Sequence, residues 1–328
     1  MYNKVLIPGR FTYKEIDIES GKVRFHFQPK NKTKRITNIY IYKDDKKYLF
    51  SRIEERQLTI LLTTKCNHRC IMCPQQLNID SIDNDLIIKR IIENLDYSVI
   101  DEIYLTGGEP MLKIDFINEL LQKTPERIFI TILTNGTILP SKKLLSSPRC
   151  KLCIPLYASY DSLHNHITGS NSFYNVINNL IAMSNYPILI ELRYVMNKQN
   201  INNIKEYARF VHRNLPFVQD VAFMGMELTA SAKENKGSLW INPREYISDL
   251  IEAVRYLDNF EIRSWIYNLQ PCLFDEQDRK FLSPSISLWK RRYLPICTDC
   301  KLKNSCGGIF FVLPKVNLDF FRKAYKVV

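Results

Sequence analysis

The chain has 328 residues, of which 45% are hydrophobic and 24% charged, a make-up that fits a folded globular protein and excludes a disordered or fibrous one. No apolar run approaches the length of a membrane helix, and the opening Met1-Tyr2-Asn3-Lys4-Val5 lacks the charged-then-apolar pattern of a secretory signal, so a cytoplasmic protein without a membrane partner is expected. The net charge of +12 suits an acidic partner, but the basic residues are scattered and the densest run, Lys30 to Arg35, reads as a hairpin turn or loop, so a solvated basic surface is the simpler reading.

Residues 1–57 read as a small β-rich region. Val23-Arg24-Phe25-His26-Phe27 alternates, and Asn38-Ile39-Tyr40-Ile41-Tyr42 is β-branched and aromatic before the turn formers Asp44-Asp45. From Leu58 strands and helices alternate. Strands are expected at 58–63, 100–106, 127–134, 152–158, 188–195 and 218–224. Helices are expected at 83–95, around Phe116 to Leu121, at 176–183, 201–212 and 243–257, the last opening with Pro243. Strands this apolar belong in a parallel sheet. Six units fall short of the eight that close a barrel, so residues 58–259 are expected to form an α/β fold, a partial (β/α)6 TIM-type barrel with its site at the carboxyl ends of the strands. Residues 260–328 then form a cysteine-bearing extension with a basic, aromatic tail.

Nine cysteines without a secretory signal argue for metal binding over disulfides. Cys66, Cys70 and Cys73, spaced C-x3-C-x2-C, follow the first parallel strand. Three thiolates on one loop can hold three irons of a [4Fe–4S] cluster and leave the fourth iron open to a ligand. Zinc is the alternative, but a structural zinc site wants four ligands, and only His68, inside the loop, is near. Leu105-Thr106-Gly107-Gly108-Glu109-Pro110 ends the second strand, where two glycines permit unusual backbone and a carboxylate can accept from a cationic amine.

The cysteine spacing resembles the signature of the radical S-adenosylmethionine (SAM) superfamily, whose members use a partial (β/α)6 barrel; Met72 stands where that family usually has an aromatic residue. The resemblance implies that Gly107, Gly108, Glu109 and Pro110 hold the amino end of S-adenosylmethionine. Thr134-Asn135-Gly136 matches a similar string at the end of the third strand, and His164-Asn165-His166-Ile167-Thr168-Gly169 looks like a His-Asp-x-Ile-x-Gly stretch, with Asn165 replacing the acid. By the same resemblance Asn135, Ser159, Arg193 and Met224 are further cofactor contacts: Ser159 to ribose or carboxylate, Arg193 to carboxylate, and Met224 to adenine. Packing or surface roles are the plain alternative for each.

Cys297, Cys300 and Cys306, with Cys272 upstream, supply four more thiolates, enough for a second [4Fe–4S] cluster or a zinc ion. Their spacing resembles part of the auxiliary-cluster (SPASM or twitch) domain of peptide-modifying radical enzymes; Phe310 occupies the position of the next cysteine, so one extra cluster in a shortened version is expected. Cys150 and Cys153 form another C-x2-C at the start of a strand and read as packing.

The resemblance is greatest to the maturases of His-Xaa-Ser peptide systems, through Asn67 to Gln75, Ala222 to Glu227 and Ser285 to Lys290. It implies that a one-electron donor such as flavodoxin or ferredoxin reduces the cluster, that S-adenosylmethionine is cleaved to a 5′-deoxyadenosyl radical, and that the radical takes hydrogen from a ribosomally made peptide or protein. Two rivals stand beside this: a radical enzyme acting on RNA, which the charge favours although no RNA-binding module is recognisable, and a non-catalytic cluster protein, which has no need of the Gly-Gly-Glu-Pro string.

Overall fold

A computed structural model describes residues 3–8, 12–27, 36–43, 46–75 and 85–310. The Lys30–Arg35 run, the Asp44-Asp45 turn and the tail beyond residue 310 lie outside the described residues.

The N-terminal strands are β1 (Lys4–Pro8), β2 (Thr12–Asp17), β3 (Val23–Phe27), β4 (Ile36–Lys43) and β5 (Lys46–Glu54). They pair antiparallel, and β5 pairs antiparallel with β6 (Gln57–Thr63), so Arg52 faces Thr59. This β-rich region is therefore an extension of the sheet that follows. Its buried Val5, Ile7, Ile16, Ile39 and Ile41 join the same apolar core as the rest of the chain.

From β6 the sheet is parallel through β7 (Glu102–Gly107), β8 (Phe129–Leu133), β9 (Cys150–Pro155), β10 (Leu189–Val195), β11 (Asp220–Met224), β12 (Arg263–Tyr267) and the short β13 (Leu282–Ser283). The strand order, β13-β12-β11-β10-β9-β8-β7-β6-β5-β4-β1-β2-β3, leaves both edges apart, so the barrel is partial. Two strands beyond the expected six, β12 and β13, continue it past residue 259. Arg263-Ser264-Trp265-Ile266-Tyr267 escaped the sequence reading because only alternate residues are buried, and β13 has two residues, too few for a pattern.

The helices follow from apolar spacing. They are α1 (Asp85–Asn94), α2 (Ile114–Lys123), the single-turn α3 (Lys142–Leu145), α4 (Asp161–Thr168), α5 (Phe173–Met183), α6 (Ile204–Asn214), the short α7 (Ala230–Glu234) and α8 (Lys236–Leu239), and α9 (Ile247–Asn259). In α1, Ile87, Ile88, Ile91 and Ile92 are buried; in α9, Leu250, Ala253, Val254 and Leu257. They share one core with Leu58, Ile60 and Leu62 of β6 and with Ile190, Leu192 and Tyr194 of β10. Each fully buried Leu or Ile stabilises by about 1.5–3 kcal/mol. The alternate residues of those strands face away from the helices, into the concave side. Pro243 opens a separate turn (Pro243–Glu245) one residue before α9. Among the described residues no helix is long and apolar enough to cross a membrane.

Candidate functional site

The carboxyl ends of β6 and β7 lie side by side, and their loops carry the two motifs. The ladder explains the paired glycines. A Cβ on Gly108 would stand 2.1 Å from the Lys65 carbonyl oxygen, and one on Gly107, whose φ is +147°, would stand 2.2 Å from that of Thr63. Only glycine lets the β7 end lie against the chain that runs into Cys66. Gly108 N–H donates to Thr63 O at 2.7 Å and Glu109 N–H to Lys65 O at 2.8 Å, which locks the two motifs together.

Glu109 is fully buried. Its carboxylate accepts from Met111 N–H at 2.8 Å, the Thr134 hydroxyl at 2.6 Å and Asn135 N–H at 2.6 Å. Burial pushes its pKa up, and these three donors pull the other way. Pro110 opens the turn that Glu109 caps. The Glu109 side chain thus ties the β7 end to the Thr134-Asn135-Gly136 string after β8. Asn135 passes the bracing on: its amide donates to Asn67 Oδ1 at 2.6 Å, and it hydrogen-bonds the Cys66 sulfur.

The cysteine loop is held from its other side by α4. Arg69 N–H donates to Thr168 O at 2.9 Å and Ile71 N–H to Ile167 O at 3.0 Å. Gly169 caps α4 with a left-handed φ of +62°, and a Cβ there would come within 2.7 Å of Arg69 O. The His164–Gly169 stretch therefore supports the loop. Met72 is buried in a small apolar cluster with Tyr157, Ile167, Leu228 and Leu239, and its sulfur accepts from Asn197 Nδ2 at 3.4 Å.

Cys66, Cys70 and Cys73 come together within electrostatic reach of one another. Burial raises all three thiols, Cys70 to about 12, and no lysine or arginine offsets it. Three half-buried thiols without a cationic partner among the described residues are costly to ionise, and iron, when bound, would supply the missing positive charge. The donor set and the N–H donation from His68 to the Cys66 sulfur at 3.4 Å fit a cluster. Among the described residues no three His, Cys, Asp or Glu side chains converge closely enough for a single metal ion. His68 itself is 2% exposed, with both ring nitrogens unpartnered among the described residues, and burial lowers its pKa to about 4.

The other expected contacts are distributed as follows. Ser159 bonds Asn203 both ways, N–H to Oδ1 at 2.9 Å and Nδ2 to its hydroxyl at 2.8 Å. Met224 ends β11, where its carbonyl accepts from Met196 N–H at 2.9 Å. Arg193 lies on the concave face of β10, its Nε donating to Glu191 Oε1 at 2.7 Å. Cys272, Cys297, Cys300 and Cys306 line one pocket, with Gln270, Tyr293 and Gly308. Burial raises Cys272 to about 12, and the other three thiols add to it, so all four are neighbours. Cys150 and Cys153 are buried on opposite faces of β9: Cys150 packs in the helix-side core and Cys153 faces the charge of Arg193, so the pair cannot share a ligand.

Three contributors were missed in the sequence. Tyr157, just past β9, is buried beside the three cysteines and stacks on His164, ring centroids 5.9 Å apart. The fully buried Asn197 and Asn200 fasten the β10 end to Met72 and to Tyr157 O. The run Asn197-Lys198-Gln199-Asn200 reads as a polar loop, and only its density of asparagine after a strand hints at a buried amide network.

Residues 60–211 match the family model described as the Radical SAM superfamily. A protein of Halobacterium salinarum described as "Probable GTP 3',8-cyclase" is 33% identical over 92 residues, 25% of this chain and 26% of that protein. The chain thus matches about a quarter of that relative's length. Among solved structures, native anSMEcpe with bound AdoMet and Cp18Cys peptide has a TM-score of 0.55 at 14% identity, covering 82% of this chain and 94% of that one. Streptococcus suis SuiB bound to precursor peptide SuiA has a TM-score of 0.51 at 18% identity, covering 65% and 48%. At such identities the likeness is one of fold.

Proposed function

We propose, on the match of residues 60–211 to the Radical SAM superfamily model, that this chain is an enzyme that reductively cleaves S-adenosylmethionine and modifies a ribosomally made peptide or protein. The observation that carries the reading is the joining of Cys66, Cys70 and Cys73 to Gly107, Gly108 and Glu109 at one end of the sheet, through Glu109 and Asn135. When bound, a [4Fe–4S] cluster supplies the electron that splits S-adenosylmethionine into methionine and a 5′-deoxyadenosyl radical able to take a hydrogen atom from substrate.

The chain's own residues bind and orient. Cys66, Cys70 and Cys73 hold the cluster, Met72 and Tyr157 exclude water behind it, and Asn135 steadies the Cys66 sulfur. The bare backbone of Gly107 and Gly108, ordered by Glu109 and Pro110, receives the amino end of S-adenosylmethionine. Met224, at the β11 end, lies against its adenine. A second [4Fe–4S] cluster, in preference to zinc, is held by Cys272, Cys297, Cys300 and Cys306; their lining of one pocket supports this. A flavodoxin or ferredoxin supplies the electrons.

The peptide reading is favoured by the two fold neighbours solved with peptides. The GTP 3',8-cyclase description of a relative supports a second reading, a nucleotide substrate. The test is to reconstitute the protein without oxygen and offer it GTP or the short peptides encoded beside its gene. A changed peptide mass supports the proposal; consumption of GTP with every peptide unaltered contradicts it.

A further inference from the structure

The second cysteine group lies in a hairpin with a two-stranded sheet of its own. The short strands β14 (Arg291–Arg292) and β15 (Ile309–Phe310) pair antiparallel, with Arg291 opposite Phe310 and Arg292 opposite Ile309. Cys297, Cys300 and Cys306 fall in the chain between them, and Cys272 enters from the turn after β12. Gly308 shapes the cavity: its φ is +69°, and a Cβ there would stand 2.6 Å from Arg291 Cγ. Gly308 N–H donates to Cys306 Sγ at 3.3 Å, and Gln270 Nε2 donates to Gly308 O at 2.7 Å, which ties the hairpin to the chain after β12. The Tyr293 hydroxyl donates to Cys306 O at 2.8 Å.

Three cations border that cavity. Arg292 and Lys303 line it together with the four cysteines. Arg291 lies beside it, its stem against Gly308 and its Nη2 donating to Ile286 O at 3.0 Å. The Nε of Arg291 is sealed from solvent and has no hydrogen-bond partner among the described residues. Neither Arg291 nor Lys303 pairs with a carboxylate among those residues, and Lys303 Nζ sits 5.8 Å from the centre of the Tyr293 ring. The hairpin's own carboxylate, Asp299, is exposed and does not line the cavity. A sealed guanidinium nitrogen without an anion is costly, and so are four gathered thiolates without cations. Each deficit answers the other. Burial pushes the Cys306 thiol up, and the Gly308 N–H and the Arg291 charge pull it back.

We propose that Arg291, Arg292 and Lys303 form the cationic wall of the second metal centre and raise the potential at which its cluster takes up an electron. This assignment rests on reading the four cysteines as a second cluster site and extends it to the residues around them. A cubane held by four thiolates is an anion, and reduction adds one more negative charge. Cations fixed beside it favour the reduced form, and a guanidinium N–H that donates to a thiolate or sulfide favours it further. In that one-electron step the donor is oxidised, the cluster is reduced, and no covalent bond forms or breaks. The three residues act on the cluster and touch no substrate, so they are positioning and tuning residues.

The experiment uses the full chain carrying Cys70→Ala and Cys73→Ala, reconstituted without oxygen so that only the second cysteine group gives a signal. The midpoint potential is read by electron paramagnetic resonance during titration with dithionite, beside the iron and zinc content. Arg291→Gln should shift the reduction equilibrium about tenfold toward the oxidised form, a midpoint about 59 mV lower for one electron, with iron unchanged at about four per chain. Arg291→Lys, which keeps the charge, should recover at least about half of that shift. Arg292→Gln and Lys303→Gln should each shift the equilibrium about threefold in the same direction. Midpoints left unchanged, or raised, by Arg291→Gln and Lys303→Gln overturn the wall. Where Arg291→Gln does not hold iron, Lys303→Gln decides: a lower midpoint supports the wall and an unchanged one overturns it. Failure of the parent reading looks different and removes the wall with it: the protein with Arg291, Arg292 and Lys303 intact then holds zinc or no metal at the four cysteines.

Discussion

Gly108 shows how much of the site is decided by one missing methyl. Its Cβ would meet a backbone carbonyl at 2.1 Å, which no rotamer change relieves. Gly108→Ala is predicted to cost more than about 3 kcal/mol, read as the shift of the urea midpoint. Gly237→Ala, where a Cβ meets nothing within 4 Å, should be neutral or stabilise by up to about 1 kcal/mol. Equal destabilisation by both would sink the close-approach account. In the sequence the two glycines pointed to bare backbone for a ligand; the clash with Thr63 and Lys65 was invisible because it depends on pairing across the sheet. His164 makes a second residue-scale case. It is fully buried, its Nδ1 accepts from Tyr157 N–H at 3.3 Å, and burial lowers its pKa from 6.5 to about 4. The unfolded chain therefore takes up the proton first as pH falls. The associated stability is complete above about pH 6.5 and is lost progressively down to about pH 4, on the order of 3 kcal/mol. Urea titrations across that window should show the slope, and His164→Gln should remove about half of it, because His68 is shifted across the same window.

At the scale of elements, the cysteine-bearing extension is bound to the sheet it follows. The segment before Cys297 reaches back to β5: Leu288 N–H donates to Glu54, and the Arg52 guanidinium sits 4.0 Å from the centre of the Trp289 ring. Lys290 pairs with Glu227, just past β11, at 2.8 Å. The segment thus spans from the N-terminal strands to the sixth parallel strand, across the open side of the barrel. Glu54→Ala removes the acceptor for Leu288 N–H, at a cost of about 1–2 kcal/mol, and should speed exchange of that amide about tenfold or more while leaving the amides of β10 unchanged. Unchanged exchange at Leu288 would show that the carboxylate does not hold the segment. Cys272 joins the later cysteines from the turn after β12, so Cys272→Ala and Cys300→Ala should each lower bound iron from about eight to about four per chain, while Cys150→Ala changes nothing. Zinc in place of the second four irons would refute that cluster. The six apolar strands were legible because buried strands leave uninterrupted hydrophobic runs. The strands after residue 260 were not, since β12 alternates with arginine, tryptophan and tyrosine, and the β1–β5 extension looked separate because pairing of β5 with β6 leaves no mark in either strand alone.

At the scale of the molecule, the described residues form one sheet of thirteen strands that carries the N-terminal strands and the barrel, and its last strand, β13, leads toward the second cysteine group. On the concave side Glu191 and Asp220 pair with Lys151, Arg193 and Arg263, so most of the net charge of +12 lies elsewhere. The cysteine triplet and the Gly-Gly-Glu-Pro string were readable because their spacing is local; the braces that unite them, Glu109 to Asn135, Asn197 to Met72 and α4 to the loop, span tens of residues and appear only in the fold. The central claim is that these parts make one S-adenosylmethionine-cleaving site. It is tested most directly by anaerobic reconstitution, addition of dithionite and S-adenosylmethionine, and quantification of 5′-deoxyadenosine against a Cys73→Ala control. The account predicts S-adenosylmethionine binding and 5′-deoxyadenosine from the unaltered protein and none from the variant. A protein that holds iron at Cys66, Cys70 and Cys73 yet neither binds nor cleaves S-adenosylmethionine would contradict it.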